Sequence, residues 1–204
     1  FVTGGGGHYC AGGSGVNVTL SGSVAGISYQ LKNGGSNIGP AVAGTGSALN
    51  FGLQTLAGSY TIVAMNNTTG CFVTMTGSVP VVIDPLPMQY TVSSTSSTYC
   101  AGSAGVDVGL TGSDAGISYQ LYRAGVATGA PVLGTGSAIS FGFQTAAGTY
   151  TAVGTNIATA CVNNMLSSVT VVVNALPTAF SVTGGGAYCA GGAGATIGLS
   201  SSQP

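Results

Sequence analysis

Five cysteines, one histidine and three acidic residues are the side chains of this sequence with the means to cross-link, ligate or catalyse. The cysteines carry the clearest pattern. Cys10 and Cys71 are separated by the same interval, about 60 residues, as Cys100 and Cys161, while Cys189 is left over to pair beyond the chain or with another subunit. A zinc or iron–sulfur site needs clustered ligands such as Cys-x-x-Cys, and here each cysteine stands alone with His8 as the one imidazole. The spacing therefore predicts disulfides Cys10–Cys71 and Cys100–Cys161, each closing a loop that stabilises its unit by about 4 kcal/mol. Disulfides place the chain in an oxidising compartment.

The other reactive residues do not assemble into a catalytic set. A serine or threonine nucleophile needs a base within hydrogen-bond reach. His8 is the sole histidine, and Ala187 stands at its place in a later copy of the surrounding motif. Paired carboxylates for glycoside hydrolysis fail in the same way, because Asp107, Asp114 and Asp84 answer to Asn17, Val24 and Asn174. Three scattered carboxylates are also too few for a calcium cage. Gly44-Thr45-Gly46 and Gly134-Thr135-Gly136 have no following helix and so read as turns, not as phosphate cradles. No enzyme, metal or cofactor is expected.

Charge excludes two further classes of partner. Lys32 and Arg123 are the only cations besides the terminus, and the net charge is −1. Nucleic-acid binding requires several Lys or Arg, and an anionic membrane surface requires a polybasic patch. No apolar run approaches the roughly 20 residues that cross a bilayer, so membrane insertion is not expected either. Phe1 opens no signal-peptide pattern, and an export signal is expected outside this sequence.

The elements that must position these residues come from a duplication. With Cys10 laid on Cys100 the register runs without a gap to Pro87 and Pro177, and about half of the positions agree. Tyr-Cys-Ala-Gly recurs at Tyr9, Tyr99 and Tyr188, opening a third copy. The sequence reads as repeat 1 over 1–86, repeat 2 over 87–176 and the start of repeat 3 over 177–204. Val16, Val18 and Leu20 alternate with polar residues, as do Val106, Val108 and Leu110. In Gly-Ile-Ser-Tyr-Gln-Leu, written at 26–31 and again at 116–121, alternation predicts Ile27, Tyr29, Leu31, Ile117, Tyr119 and Leu121 in the core, with Ser28 and Gln30 outside. No window has a helical period. About seven short strands per copy predict tandem immunoglobulin-like antiparallel β-sandwiches of about 90 residues, each with one disulfide. Tyr60 and Tyr150 sit where a tyrosine corner would open the penultimate strand. Leu-Pro at 86–87 and 176–177 ends each copy and stiffens the link to the next, which predicts a rod of beads.

Tyr-Cys-Ala-Gly, Gly-Ile-Ser-Tyr-Gln-Leu, Gly-Thr-Gly-Ser-Ala, the segments Phe51 to Thr61 and Phe141 to Thr151, and the closing Leu-Pro together resemble repeats of very large surface proteins of gliding-type Bacteroidota. Such proteins often end in a sorting domain read by the type IX secretion system. The resemblance implies an extracellular or cell-surface adhesin-type array, without catalytic residues. The function expected is that of a structural fibre, filament or adhesin stalk, self-associating through its neutral surface. The rival is an array of carbohydrate-binding modules that recognise a surface polysaccharide on aromatic platforms such as Tyr90, Tyr122 or Phe72. Against it, 32–43 and 122–133 differ almost throughout, so the two copies would not carry the same site. Asn17-Val18-Thr19, Asn66-Asn67-Thr68 and Asn67-Thr68-Thr69 match the acceptor pattern for N-glycans.

Overall fold

The computed structural model describes residues 1–203 and is all β; Pro204, the last residue of the expected third copy, lies outside the described residues. The first copy forms β1 (Thr3–Gly5), β2 (Gly7–Cys10), β3 (Val16–Leu20), β4 (Ile27–Asn33), β5 (Ser36–Ala43), β6 (Leu49–Gln54), β7 (Gly58–Asn66), β8 (Phe72–Thr74) and β9 (Val79–Asp84). These build two facing sheets, β1-β3-β6 and β2-β9-β7-β4-β5, with β8 paired to β7. The second copy repeats the plan with β10 (Val92–Ser94), β11 (Thr98–Cys100), β12 (Val106–Leu110), β13 (Ile117–Arg123), β14 (Val126–Leu133), β15 (Ile139–Gln144), β16 (Gly148–Asn156), β17 (Val162–Asn164) and β18 (Val169–Asn174). This is the immunoglobulin-like sandwich expected from the alternation. There are more than seven strands because the first strand breaks in two and a short extra strand follows β7.

That break has a structural purpose. β1 runs antiparallel to β3 in one sheet, whereas β2 runs parallel to β9 in the other. The chain therefore changes sheets between Gly5 and Gly7. At Gly5, φ is +81° and a Cβ would lie 2.2 Å from the Asn17 carbonyl oxygen, so a residue without a side chain suits the crossing. Parallel pairing with β9 carries Cys10 to the level of Asp84, the far end of the copy.

Alternation decides the core. Val18, Leu20, Tyr29, Leu31, Leu49, Tyr60, Ile62 and Val81 pack between the first pair of sheets, and their counterparts fill the second. Burying a side chain such as Leu31 stabilises the fold by about 1.5–3 kcal/mol. Tyr29, Leu31, Ile117, Tyr119 and Leu121 are buried and Ile27 is half-buried. Tyr60 donates its hydroxyl to Leu56 O (2.8 Å) and Tyr150 to Ala146 O (2.7 Å), the tyrosine corner in both copies. Tyr29 and Tyr119 keep their hydroxyls satisfied by accepting the backbone N–H of Val24 and Asp114.

Gln30 and Gln120 differ from the simple outward reading. Between Tyr29 and Leu31 the partner strand β5 bulges, with Val42 opposite Tyr29 but Ile38 opposite Leu31. The bulge holds Gly39, at φ +60°, and Pro40, and leaves carbonyls without ladder partners. Gln30 Nε2 turns back and donates to Leu31 O (2.9 Å), Ile38 O (3.2 Å) and Gly39 O (3.2 Å). Gln120 does the same for Leu121, Thr128 and Gly129. Both glutamines are consequently half-buried, and Ser28 is half-buried as well.

Beyond β18, β19 (Val182–Gly184) and β20 (Ile197–Leu199) form an exposed antiparallel hairpin, the counterpart of β10 and β12.

Candidate functional site: a cross-linked joint between the two sandwiches

The disulfide of this chain is Cys10–Cys161, with Cα atoms 5.5 Å apart, and Cys71, Cys100 and Cys189 are free. The expected Cys10–Cys71 and Cys100–Cys161 bonds are therefore corrected, and strand direction supplies the reason. Cys10 lies level with Asp84 at one end of β9. Tyr60 lies opposite Val79, and β7 then runs away from that end to Asn66, whose N–H meets Cys71 O. Cys10 and Cys71 are thus separated by roughly 11 strand steps, about 35 Å at about 3.3 Å each. A disulfide spans Cα atoms only about 4.4–6.8 Å apart. The two cysteines of one copy mark its opposite poles.

Cys161 occupies the pole of the second sandwich that faces the first. It follows β16, where Asn156 N–H donates to Cys161 O (2.8 Å) and Asn156 Oδ1 accepts the N–H groups of Ala158 and Thr159. The link from β9 to β10 runs beside this turn. Asn163 Nδ2 donates to Pro87 O (2.9 Å), Gln89 Nε2 donates to Asn164 O (2.8 Å), and Leu166 N–H donates to Tyr90 O. Cys161 is fully buried, and Pro87 and Asp84 are buried beside it. His8 Nδ1 lies 3.1 Å from Asp84 Oδ1 and supplies the polar partner that this carboxylate needs. The joint is covalent, hydrogen-bonded and partly desolvated at once, so it restricts the hinge that a bare Leu-Pro link would leave.

Phenol groups also tie together the parts of each sandwich. Tyr9 donates to Thr55 O (2.6 Å), and Tyr99 donates to Thr145 O in the second copy. Tyr90 packs against the second core and donates to Asp114 Oδ1 (2.7 Å), a bond that raises its pKa. Burial raises the pKa of Tyr119 and of Tyr150. Of the aromatics considered as sugar platforms, Tyr90 is thereby used in packing, Tyr122 is half-buried, and Phe72 is exposed.

Phe72 rims a shallow groove of about 540 Å³ on the outer face of β4, β5, β7 and β8, with Lys32, Asn37, Val63 and Met65 along it. The same positions in the second copy are Tyr122, Ala127, Val153, Thr155 and Val162, which present neither the charge nor the aromatic ring in the same places. Among the described residues no three His, Cys, Asp or Glu side chains come together as metal ligands. The acceptor-pattern residue Asn67 is exposed and accepts a hydrogen bond from Ser28 Oγ, while Asn66 Oδ1 shapes its own turn.

Comparison with known proteins gives fold likeness only. No protein-family model matches the chain, and no curated protein matches it. Among solved structures the chain is similar to the fibronectin(III)-like modules of CbhA from Clostridium thermocellum, at 15% identity and a TM-score of 0.43, covering 83% of this chain and 90% of that one. It is similar to murine CEACAM1b at 14% identity and a TM-score of 0.39, covering 82% and 96%. A biofilm-associated protein BSP domain follows at 12% identity and a TM-score of 0.30, covering 86% of this chain and 30% of that one. Likeness this distant bears on no activity or partner. The chain is an immunoglobulin-like all-β protein by its own sheet order. No helix of the described residues is long and apolar enough to cross a membrane.

Proposed function

We propose that this chain is a non-catalytic structural segment of an extracellular fibre, filament or cell-surface adhesin stalk, divided into repeats at 1–86, 87–176 and 177–204. The observation that carries the reading is the Cys10–Cys161 bond between consecutive sandwiches. Such a lock suits a load-bearing thread, because it stops adjacent units from pivoting or peeling apart. The resemblance to surface-protein repeats of gliding Bacteroidota supports the same reading and an extracellular or cell-surface location. Near-neutral charge supports self-association, since little repulsion opposes contact between copies.

Small-angle scattering on the oxidised chain in dilute buffer tests this. The reading expects a rod-like particle whose cross-section matches one sandwich and whose length spans two. A compact particle with the sandwiches folded side by side, or one that becomes no more flexible on reduction, contradicts it.

A further inference from the structure

The outer groove of the first sandwich is floored by side chains in three rows. Phe72 stands beside Met65, Thr74 beside Val63, and Lys32 beside Asn37, on the strands β8, β7, β4 and β5. The first row lies about 13 Å from the third along the strands, and β8 lies about 10 Å from β4 across them. The middle of the groove is apolar, an aromatic ring stands at one end, and a cation with a neutral amide stands at the other. None of the three acidic residues lines it.

Phe72 is 77% exposed and packs in neither core. A sandwich docked on the neighbouring pole would leave the ring exposed. The second copy shows this, because the first sandwich is joined to it there and Val162 and Asn164, at the places of Phe72 and Thr74, are exposed all the same. Lys32 is half-buried, and one of its three donors goes to Gly35 O (3.3 Å), which leaves the others for a ligand. Asn37 and Thr74 are exposed, so their amide and hydroxyl exchange water for ligand hydroxyls at little cost. Gln30 is already committed to the carbonyls of the bulge and shapes the floor.

These groups match one ligand chemistry. The C–H face of a pyranose ring is apolar and flat, and gains by leaving water against an aromatic ring. Its hydroxyls are neutral and directional, and suit an amide and a hydroxyl. A partly desolvated lysine with no carboxylate beside it favours an anion. The groove is long and open, which suits a polymer crossing it rather than an enclosed small molecule. We propose that this face of the first sandwich binds an acidic polysaccharide, with a uronate ring stacked on Phe72 and a uronate carboxylate paired with Lys32. The second copy shares the framework but has Val162 and Tyr122 at these two places, so the site belongs to the first copy alone. It adds an attachment point to the structural reading and does not rest on it.

The test is calorimetric titration of the full chain with oligogalacturonate at low salt. Binding at one site per chain is expected, and Phe72→Ala and Lys32→Met should each weaken it by about five- to tenfold. Both side chains stand at the surface, and unchanged thermal melts would confirm that the fold is intact. Phe143→Ala, which removes an exposed ring from the second copy, should leave the affinity as it is. The methyl ester of the same oligosaccharide should bind as weakly to wild type as the acid does to Lys32→Met, and Lys32→Met should weaken the ester no further. Added salt should weaken the acid on wild type and spare it on Lys32→Met. No binding, equal binding of acid and ester, or affinity unmoved by Phe72→Ala overturns the proposal. So does a dimer in size-exclusion chromatography that Phe72→Ala abolishes, since the face would then serve a second copy of the chain.

Discussion

Replacing the four cysteines of the two complete copies one at a time separates the observed cross-link from the one that spacing suggests. The Cys10–Cys161 bond closes a loop with a sequence separation of 151. On the chain-entropy relation that constraint is worth about 5 kcal/mol against the fully unfolded chain, compared with about 4 kcal/mol for a loop of about 60 residues. The whole of it is felt only if both sandwiches unfold together, because one folded sandwich already shortens the effective loop. Cys10→Ser is the cleaner variant, since Cys10 is half-buried whereas serine at the fully buried Cys161 would add an unpaired hydroxyl. Urea unfolding followed by tyrosine fluorescence should show Cys10→Ser losing about 2–5 kcal/mol, and wild type in reductant losing the same. Cys71→Ser and Cys100→Ser, at exposed free thiols, should stay within about 0.5 kcal/mol of wild type. Equal losses in all four variants would restore the bond within each copy and refute the reasoning from strand direction.

Gly44→Ala should cost about 1–3 kcal/mol in denaturant unfolding, since its Cβ would lie 2.0 Å from Val24 O, and Gly134→Ala should match it against Asp114 O. Gln120→Leu should lose about 1–2 kcal/mol by stranding the carbonyls of Thr128 and Gly129 at the bulge, and a neutral result would show that water replaces the amide. Tyr150→Phe should lose about 1 kcal/mol through the bond to Ala146 O, with its far-UV circular dichroism unchanged. Burial raises the pKa of Tyr119 and Tyr150 above the ordinary 10.0, so the folded state holds those protons more tightly than the unfolded one. Their contribution is complete below about pH 10 and is lost as the pH climbs through the raised values, and thermal melts from pH 9 to 12 should show the midpoint falling only at the alkaline end.

The core was legible because period-two alternation is a direct consequence of pleating. Tyr29, Leu31, Tyr119 and Leu121 are buried where that alternation puts them, and the tyrosine corners fall at Tyr60 and Tyr150. Alternation assigns a face but not a partner, so it missed that Gln30 bends over a bulge in the neighbouring strand. Register irregularities of this kind follow from Gly39 and Pro40 on the other strand, a signal present in the sequence but away from the hexapeptide. The cysteine pairing was hidden by the repeat itself. Equal spacing in two copies fits a bond within each copy, and it fits equally a bond displaced by one whole copy, because translation along an array leaves spacings unchanged. Only the direction of β2 along β9, fixed by the crossing at Gly5, decides which pole Cys10 occupies.

Electron microscopy of the native material tests the structural account most directly, because the joint fixes a length. Opposite poles of one copy are about 35 Å apart along the strands, and a disulfide adds about 5 Å, so each copy should advance a thread by on the order of 40 Å. The account predicts filaments one or a few sandwiches thick with an axial period near that value, interrupted or kinked after reduction. Isolated globular particles, or filaments whose period and straightness do not change when the disulfides are reduced, would contradict it.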